Sequence, residues 1–264
     1  MKNTDIKNVF FGNNNASAVY YGTSLLWKKV TTPLITNSLS GKYPNNSTES
    51  EWVCRVNKEY HALYCDDNFE FSEDFEDTIT DLSNLFYNNS VEKIYSLPDT
   101  SKVTTMEKMF YGCKNLNTIN LNIKTSKVNS MGYMFDGCAN LKTLNLTSFE
   151  TPLLRNVNSM FRGCSELETI NFNTFNLSNL FYNMDGMFSN CKKLHTVTGE
   201  ILKIKQDLSL KYSPLTNDSA MVFINGLDNV TSTRTLQLST STYSTLSEEQ
   251  IAMATAKGWT VTNG

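Results

Sequence analysis

The chain has 264 residues, with 23 Lys and Arg against 26 Asp and Glu and a formal net charge of −3. That length fits one or two domains, and 40% hydrophobic residues supply a core. The slight acidic balance excludes a protein built to grip nucleic acid, which needs a basic excess to displace counterions. No apolar run approaches the ~20 residues that cross a bilayer, so no membrane insertion is expected. Two histidines in the whole chain, His61 and His195, leave little material for histidine-based metal or triad chemistry.

Residues 1–30 read as a small β-rich docking element. Val9-Phe10-Phe11-Gly12 and Val19-Tyr20-Tyr21-Gly22 repeat at a spacing of ten, and Leu25-Leu26-Trp27 follows. Aromatic and β-branched runs broken by Gly and Asn indicate short strands and tight turns. Some thirty residues are too few for an independent core. Phe10, Phe11, Tyr20, Tyr21 and Trp27 are therefore candidate docking residues, against the rest of the chain, a second copy or a larger assembly. The first seven residues lack the apolar core of a secretory signal. The chain as given is expected to stay in the cytosol or to leave it by lysis, unless a signal has been removed.

Residues 31–80 read as a linker followed by a β-rich adaptor. Thr31–Ser50 is rich in Thr, Ser, Asn, Pro and Gly, the composition of loops. Cys54 and Cys65 could face each other on paired strands and oxidise outside a cell, or stay as two buried thiols. Eight acids crowd Asp66 to Asp81. They lack the calcium-loop spacing, and alternation with Phe69, Phe71 and Phe75 favours a strand with its acids in water.

Residues 81–199 carry an internal repeat. Met109-Phe110-Tyr111-Gly112-Cys113-Lys114-Asn115-Leu116 recurs at Met134–Leu141, Met160–Leu167 and Met187–Leu194, with cysteine steps of 25, 26 and 27. A degraded copy, Leu85-Phe86-Tyr87-Asn88-Asn89, precedes them. After each cysteine the triplets Leu116, Ile119, Leu121; Leu141, Leu144, Leu146; and Leu167, Ile170, Phe172 end in alternation, as in a short strand with one buried face. Before it, apolar residues are three apart: Val103, Met106, Met109; Val128, Met131, Met134; Leu154, Val157, Met160; Phe181, Met184, Met187. That spacing predicts a helical or 3₁₀ turn. One strand and one turn in ~25 residues is the unit of a leucine-rich-repeat solenoid. Stacking such units lines equivalent side chains into buried columns.

The four cysteines are expected as free, buried packing residues. One ligand per stacked unit makes a line and not the tetrahedron zinc needs, and parallel Cβ vectors disfavour disulfides. No metal site and no cofactor is expected. If Ile119 and its equivalents point inward, Thr118, Asn120, Thr143, Asn145, Thr169, Asn171 and Thr196 point outward. They form a candidate binding ribbon of short, uncharged hydrogen-bonding side chains. The alternative is that they merely solvate an outer face. His195 has no second histidine or paired acid in the pattern and reads as an exposed ladder position.

The motif M-F-x-x-C-x-x-L-x-x-[LI]-[ND]-L, with V-x-x-M before the next M-F, resembles the BspA-like bacterial surface-protein repeat, a leucine-rich-repeat relative. The resemblance implies adhesion or protein binding at a surface, not catalysis. The family commonly has Asp in the strand where this chain has Asn120, Asn145 and Asn171, which weakens the case for a charge-based ligand. The run Val19–Trp27 resembles short openings of phage structural proteins and related gut-bacterial proteins.

Residues 200–264 read as an α/β cap on the last coil. Thr216 or Asn217 caps a helix opening after Ser213-Pro214. Thr233–Leu238 alternates like a strand, Ser247-Glu248-Glu249-Gln250 is a capping-box pattern, Gly258 stands where a helix stops, and Trp259–Val261 offers a last strand. The fold class expected is an α/β repeat: a leucine-rich-repeat-like solenoid of short parallel strands and helical or 3₁₀ turns, with a small β-rich amino-terminal element and an α/β carboxy-terminal cap. The function expected is structural or adhesive and not enzymatic, on a phage virion or, alternatively, on a bacterial cell surface. The expected partners are other virion proteins, a host-surface protein or glycan, or a second copy of the chain.

Overall fold

The computed structural model describes residues 80–264, apart from 90–91, 95–99, 120, 122, 182–183 and 185, together with three short strands nearer the amino terminus. Those strands are β1 (Ala18–Tyr21), β2 (Ser24–Lys29) and β3 (Phe69–Glu70), paired antiparallel in the order β1-β2-β3. Tyr20, Tyr21 and Trp27 fall in this sheet, with Val19 opposite Trp27 and Tyr20 opposite Leu25. Phe10, Phe11, Cys54, His61 and Cys65 lie outside the described residues, as does most of the acidic run.

From residue 80 onward the motif copies become units of one turn and one strand. The strands are β4 (Lys93–Ile94), β5 (Thr118–Ile119), β6 (Thr143–Glu150), β7 (Thr169–Asn176) and β8 (Thr196–Leu202). All pair in parallel, β4 with β5 and β6-β7-β8 as a second sheet. Equivalent residues face each other: Leu144, Ile170 and Val197 form one register column. The described residues are thus α/β with short parallel sheets and few helices, and contain no closed barrel.

The turns differ from the helical or 3₁₀ form expected from their spacing of three. Among the described residues between 80 and 200 no helix forms. Main-chain bonds across three residues, such as Met109 N–H to Met106 O (3.2 Å) and Cys113 N–H to Phe110 O (3.1 Å), alternate with bonds to the next unit. The amides of Met106, Lys108, Phe110 and Gly112 donate to Ser130, Gly132, Met134 and Asp136. Each turn carries two left-handed residues four apart: Asn84 and Asn88, Lys108 and Gly112, Tyr133 and Gly137, Ser159 and Gly163, Gly186 and Asn190. A left-handed residue interrupts the helical bond ladder. It frees every second amide to bond along the stack. Gly and Asn, which tolerate φ > 0, fill one of the two columns throughout.

The interior is built of columns. Phe86, Phe110, Phe135, Phe161 and Phe188 stack ring on ring at 5.3, 5.3, 6.0 and 5.3 Å. Beside them the thiols of Cys113, Cys138, Cys164 and Cys191 donate to the carbonyls of Phe86, Phe110, Phe135 and Phe161 at 2.9–3.1 Å. The four cysteines are free and buried, as expected. Three buried hydroxyls form another column: Thr100, Thr125 and Thr151 each accept from and donate to one residue of the next unit, Lys124, Glu150 and Asn176. The fourth motif copy departs from the expected spacing. Leu180, whose amide bonds Leu177 as that of Leu154 bonds Thr151, takes the inner position. Phe181 follows Arg155 on the outer ladder and is 80% exposed. The spacing to the next methionine, Met184, is four instead of three, and the additional residue pushes the phenylalanine outward.

Beyond β8 the chain adds β9 (Leu208–Leu210), α1 (Asn217–Gly226), β10 (Arg234–Leu238), α2 (Thr240–Tyr243), α3 (Glu248–Thr255) and β11 (Trp259–Asn263). Strands β9, β10 and β11 are parallel. The ladder bonds from Thr169 to Lys142 and from Thr196 to Glu168 are followed by one from Thr216 to His195 (2.9 Å), so α1 occupies the place of a next strand. The Ser213 hydroxyl reaches Cys191 O, and the Ser239 hydroxyl reaches Ser213 O. Phe223 on α1 meets Phe188 edge-on at 5.6 Å and ends the ring column. Thr216 caps α1, Ser247 and Gln250 close the capping box of α3, and Gly258 is left-handed.

Removing one ring from the column leaves a void between two fixed neighbours. Phe135→Ala is expected to cost about 3–5 kcal/mol of unfolding free energy, read from urea denaturation followed by circular dichroism.

Candidate functional site

The exposed strand face is built by alternation. In β6, Leu144, Leu146 and Phe149 turn inward, which leaves Thr143, Asn145 and Thr147 exposed. Parallel register then carries the pattern sideways: Thr143 pairs with Thr169 and Thr196, and Asn145 with Asn171 and Thr198. Strand neighbours in such a sheet lie ~4.8 Å apart. The result is two rows of hydroxyl and carboxamide groups across three strands. The Asn171 carboxamide oxygen accepts from the Thr198 hydroxyl at 2.8 Å. The Asn145 oxygen accepts from the Thr147 amide at 3.0 Å. Both oxygens are thereby held, and the amide N–H groups are left to point elsewhere.

The structure joins Thr143, Asn145, Thr169, Asn171 and Thr196 on one sheet, and adds Thr198. Thr118 sits apart, opposite Lys93 in the β4–β5 sheet, with its hydroxyl on Asn117 Oδ1 at 2.9 Å. Asn120 lies outside the described residues. His195, exposed at the start of β8, places Nδ1 2.8 Å from the Thr196 hydroxyl. At the rim, Lys193 pairs with Glu166 at 2.6 Å, and this neighbour raises the lysine's pKa.

A second decorated face lies over the turns. Tyr87 and Tyr111 stack at 4.8 Å and 5°. The Tyr133 ring lies between the Lys108 ammonium at 5.5 Å and the Arg162 guanidinium at 5.9 Å. Arg162 forks onto buried Asp136, with Nε 3.1 and 3.0 Å from the two oxygens and a terminal nitrogen at 2.7 Å. Such a fork is charge-assisted and directional. This face, and the buried threonines Thr100, Thr125 and Thr151, are absent from the sequence-derived site. The threonines were legible as a third periodic column, at steps of 25 and 26. Tyr87, Tyr111, Asp136 and Arg162 each follow the phenylalanine of a motif copy, but the residue type changes from copy to copy and so hides the face.

In chemical terms the strand face is a neutral hydrogen-bonding array. Among the described residues no group of three or more His, Cys, Asp or Glu side chains converges to hold a metal ion. No helix there is long and apolar enough to cross a membrane. Burial pushes the thiols of Cys113 and Cys191 up to about 12. Cys138 and Cys164, with the same dominant cause and neighbouring thiols, are raised well above the ordinary value.

Set beside known proteins, residues 80–200 match the family model described as "Mycoplasma protein of unknown function, DUF285". The matched segment is the repeat region, under half of the 264 residues. No curated protein and no solved structure matches the chain.

The raised thiol pKa values have a signed consequence. A thiol that binds its proton more tightly when folded stabilises the fold fully below the unfolded pKa of 9.0 and loses that contribution as pH climbs toward about 12. The urea midpoint is expected to fall above pH 9, and the slope of that fall to be shallower in Cys191→Ala than in the parent. Equal slopes would remove the thiol from the effect.

Proposed function

We propose that the protein is a non-enzymatic binding protein, in which residues 81–199 wind as a leucine-rich-repeat-type solenoid of the BspA-like kind and present the strand ribbon to a surface partner. One observation carries this reading: outward Thr and Asn side chains keep register across β6, β7 and β8 while every inward neighbour is apolar. Ordered neutral side chains at a repeating spacing suit a partner that offers many modest hydrogen bonds, such as a glycan or an extended protein segment. Residues 200–264 serve as the cap, supported by Phe223 closing the phenylalanine column and by helices replacing the strand row. Open ends of such stacks need a polar cover.

Two placements are proposed. Display on a phage particle draws on the aromatic segment Val19–Trp27 and its likeness to phage structural proteins. Display on a bacterial cell surface draws on the likeness of the repeat to BspA-like surface-protein repeats. Peptide mass spectrometry of purified virions, and of peptides shaved from intact cells, separates them.

The binding test is direct. The double variant Asn145→Lys/Asn171→Lys should keep the parent's circular dichroism and melting. Its retention on glycan arrays and on intact bacterial cells should fall about ten-fold, as loss of one to two kcal/mol of contact implies. Undiminished retention would move the contact face elsewhere. Deleting residues 213–264 should expose Phe188 and yield aggregates in size-exclusion chromatography; a soluble, cooperatively melting truncation would remove the capping role.

A further inference from the structure

The interfaces between successive units are not equivalent. At the three earlier interfaces a buried threonine at the end of one unit clasps the main chain of the next, with Thr151 accepting from Asn176 N–H at 2.7 Å and donating to its carbonyl at 3.2 Å. The residue in line at the fourth is Leu177, buried but without a hydroxyl. The same interface follows the one-residue insertion between Leu180 and Met184. The ring planes of Phe161 and Phe188 meet at 25°, against 10–15° for the earlier pairs.

The polar side chains differ too. Between the units of Cys138 and Cys164, Arg162 forks onto buried Asp136, Asn156 Nδ2 donates to Ser130 Oγ at 3.2 Å, and Asn158 Nδ2 donates to Tyr133 OH at 3.3 Å. Between the units of Cys164 and Cys191, the pairs Thr198–Asn171 and Lys193–Glu166 are exposed. Exposed pairs contribute little in water, whereas a buried, two-way hydroxyl clasp leaves a donor and an acceptor unsatisfied when it is lost.

We propose that the stack has a built-in yield point between the units of Cys164 and Cys191, at which residues 177–264 open together while the units before it stay folded. In a stack held by nearest-neighbour contacts, opening follows the weakest interface. Leu177 replaces the clasp with apolar contact, the stacked rings of Phe161 and Phe188 are turned further from parallel, and among the described residues the pairs Thr198–Asn171 and Lys193–Glu166 lie in water. This inference concerns how the stack opens and stands apart from the identity of any ligand.

The thiols report the opening. Cys191 inserts its thiol toward Phe161 O across this interface, and Cys164 toward Phe135 O across the preceding one. In the full chain under mild urea, labelling with a small maleimide, mapped by peptide mass spectrometry, should modify Cys191 about ten-fold faster than Cys138 and Cys164. One common rate for the three would overturn the proposal. Moving the defect separates a yield point from simple fraying of an end. Thr151→Leu should bring Cys164 up to the rate of Cys191 and leave Cys138 protected, while Thr151→Ser keeps the parent order. If Thr151→Leu leaves Cys164 as slow as Cys138, the clasp does not set the opening. Should that variant not fold, hydrogen exchange on the parent decides: amides of β8 to β11 exchanging as one group, faster than those of Thr143–Leu146, support the yield point, and a single common rate refutes it.

Discussion

In each of the four cysteine-bearing units the thiol lies against the main-chain carbonyl of the phenylalanine one unit earlier, and that phenylalanine's ring stacks on its own counterpart. The two contacts work only when successive units are in the same register. A unit slid by one residue would turn its apolar side chains to water. The parallel strands, the Thr and Asn rows and the forward-pointing amides all inherit that register. Cysteine suits the position because it is small, packs as an apolar residue and still offers one weak donor.

Polar groups inside the stack are satisfied by neighbours, not by water. Thr100, Thr125 and Thr151 each serve an amide and a carbonyl of the next unit, so three hydroxyls sit in the interior without an orphaned partner. The left-handed residues have a related use. Helical turns would have consumed their amides internally; the broken turns spend every second amide on the next unit. Cohesion along the stack therefore comes from the turn side as well as from the sheets.

The two decorated faces have different characters. The strand face is neutral and repetitive, with donor and acceptor groups on a regular grid. The turn face is irregular, with stacked tyrosines and one forked ion pair. Tyr133 there holds a left-handed backbone conformation that a bulky residue seldom adopts. Its ring lies between two cations and its hydroxyl accepts from Asn158, contacts that hold it in place.

The sequence alone determined the period, the inner and outer faces of the strands, the buried thiols and the helix cap at Ser247, and narrowed the cap of α1 to Thr216 or Asn217. Each of these rests on local chemistry: alternation in a strand, side-chain capping of free amides, the size of a thiol. Only the tertiary structure decided three things. The turns are not helical, because a spacing of three does not distinguish a helix from successive turns whose amides bond outward. Phe181 is exposed and Leu180 half-buried against the core, because one added residue shifts which of two apolar neighbours meets the core. The residues after 200 continue the stack with helices in the strand row, because the bonds that place them, Thr216 to His195 and Ser213 to Cys191, join positions about twenty residues apart that share no motif.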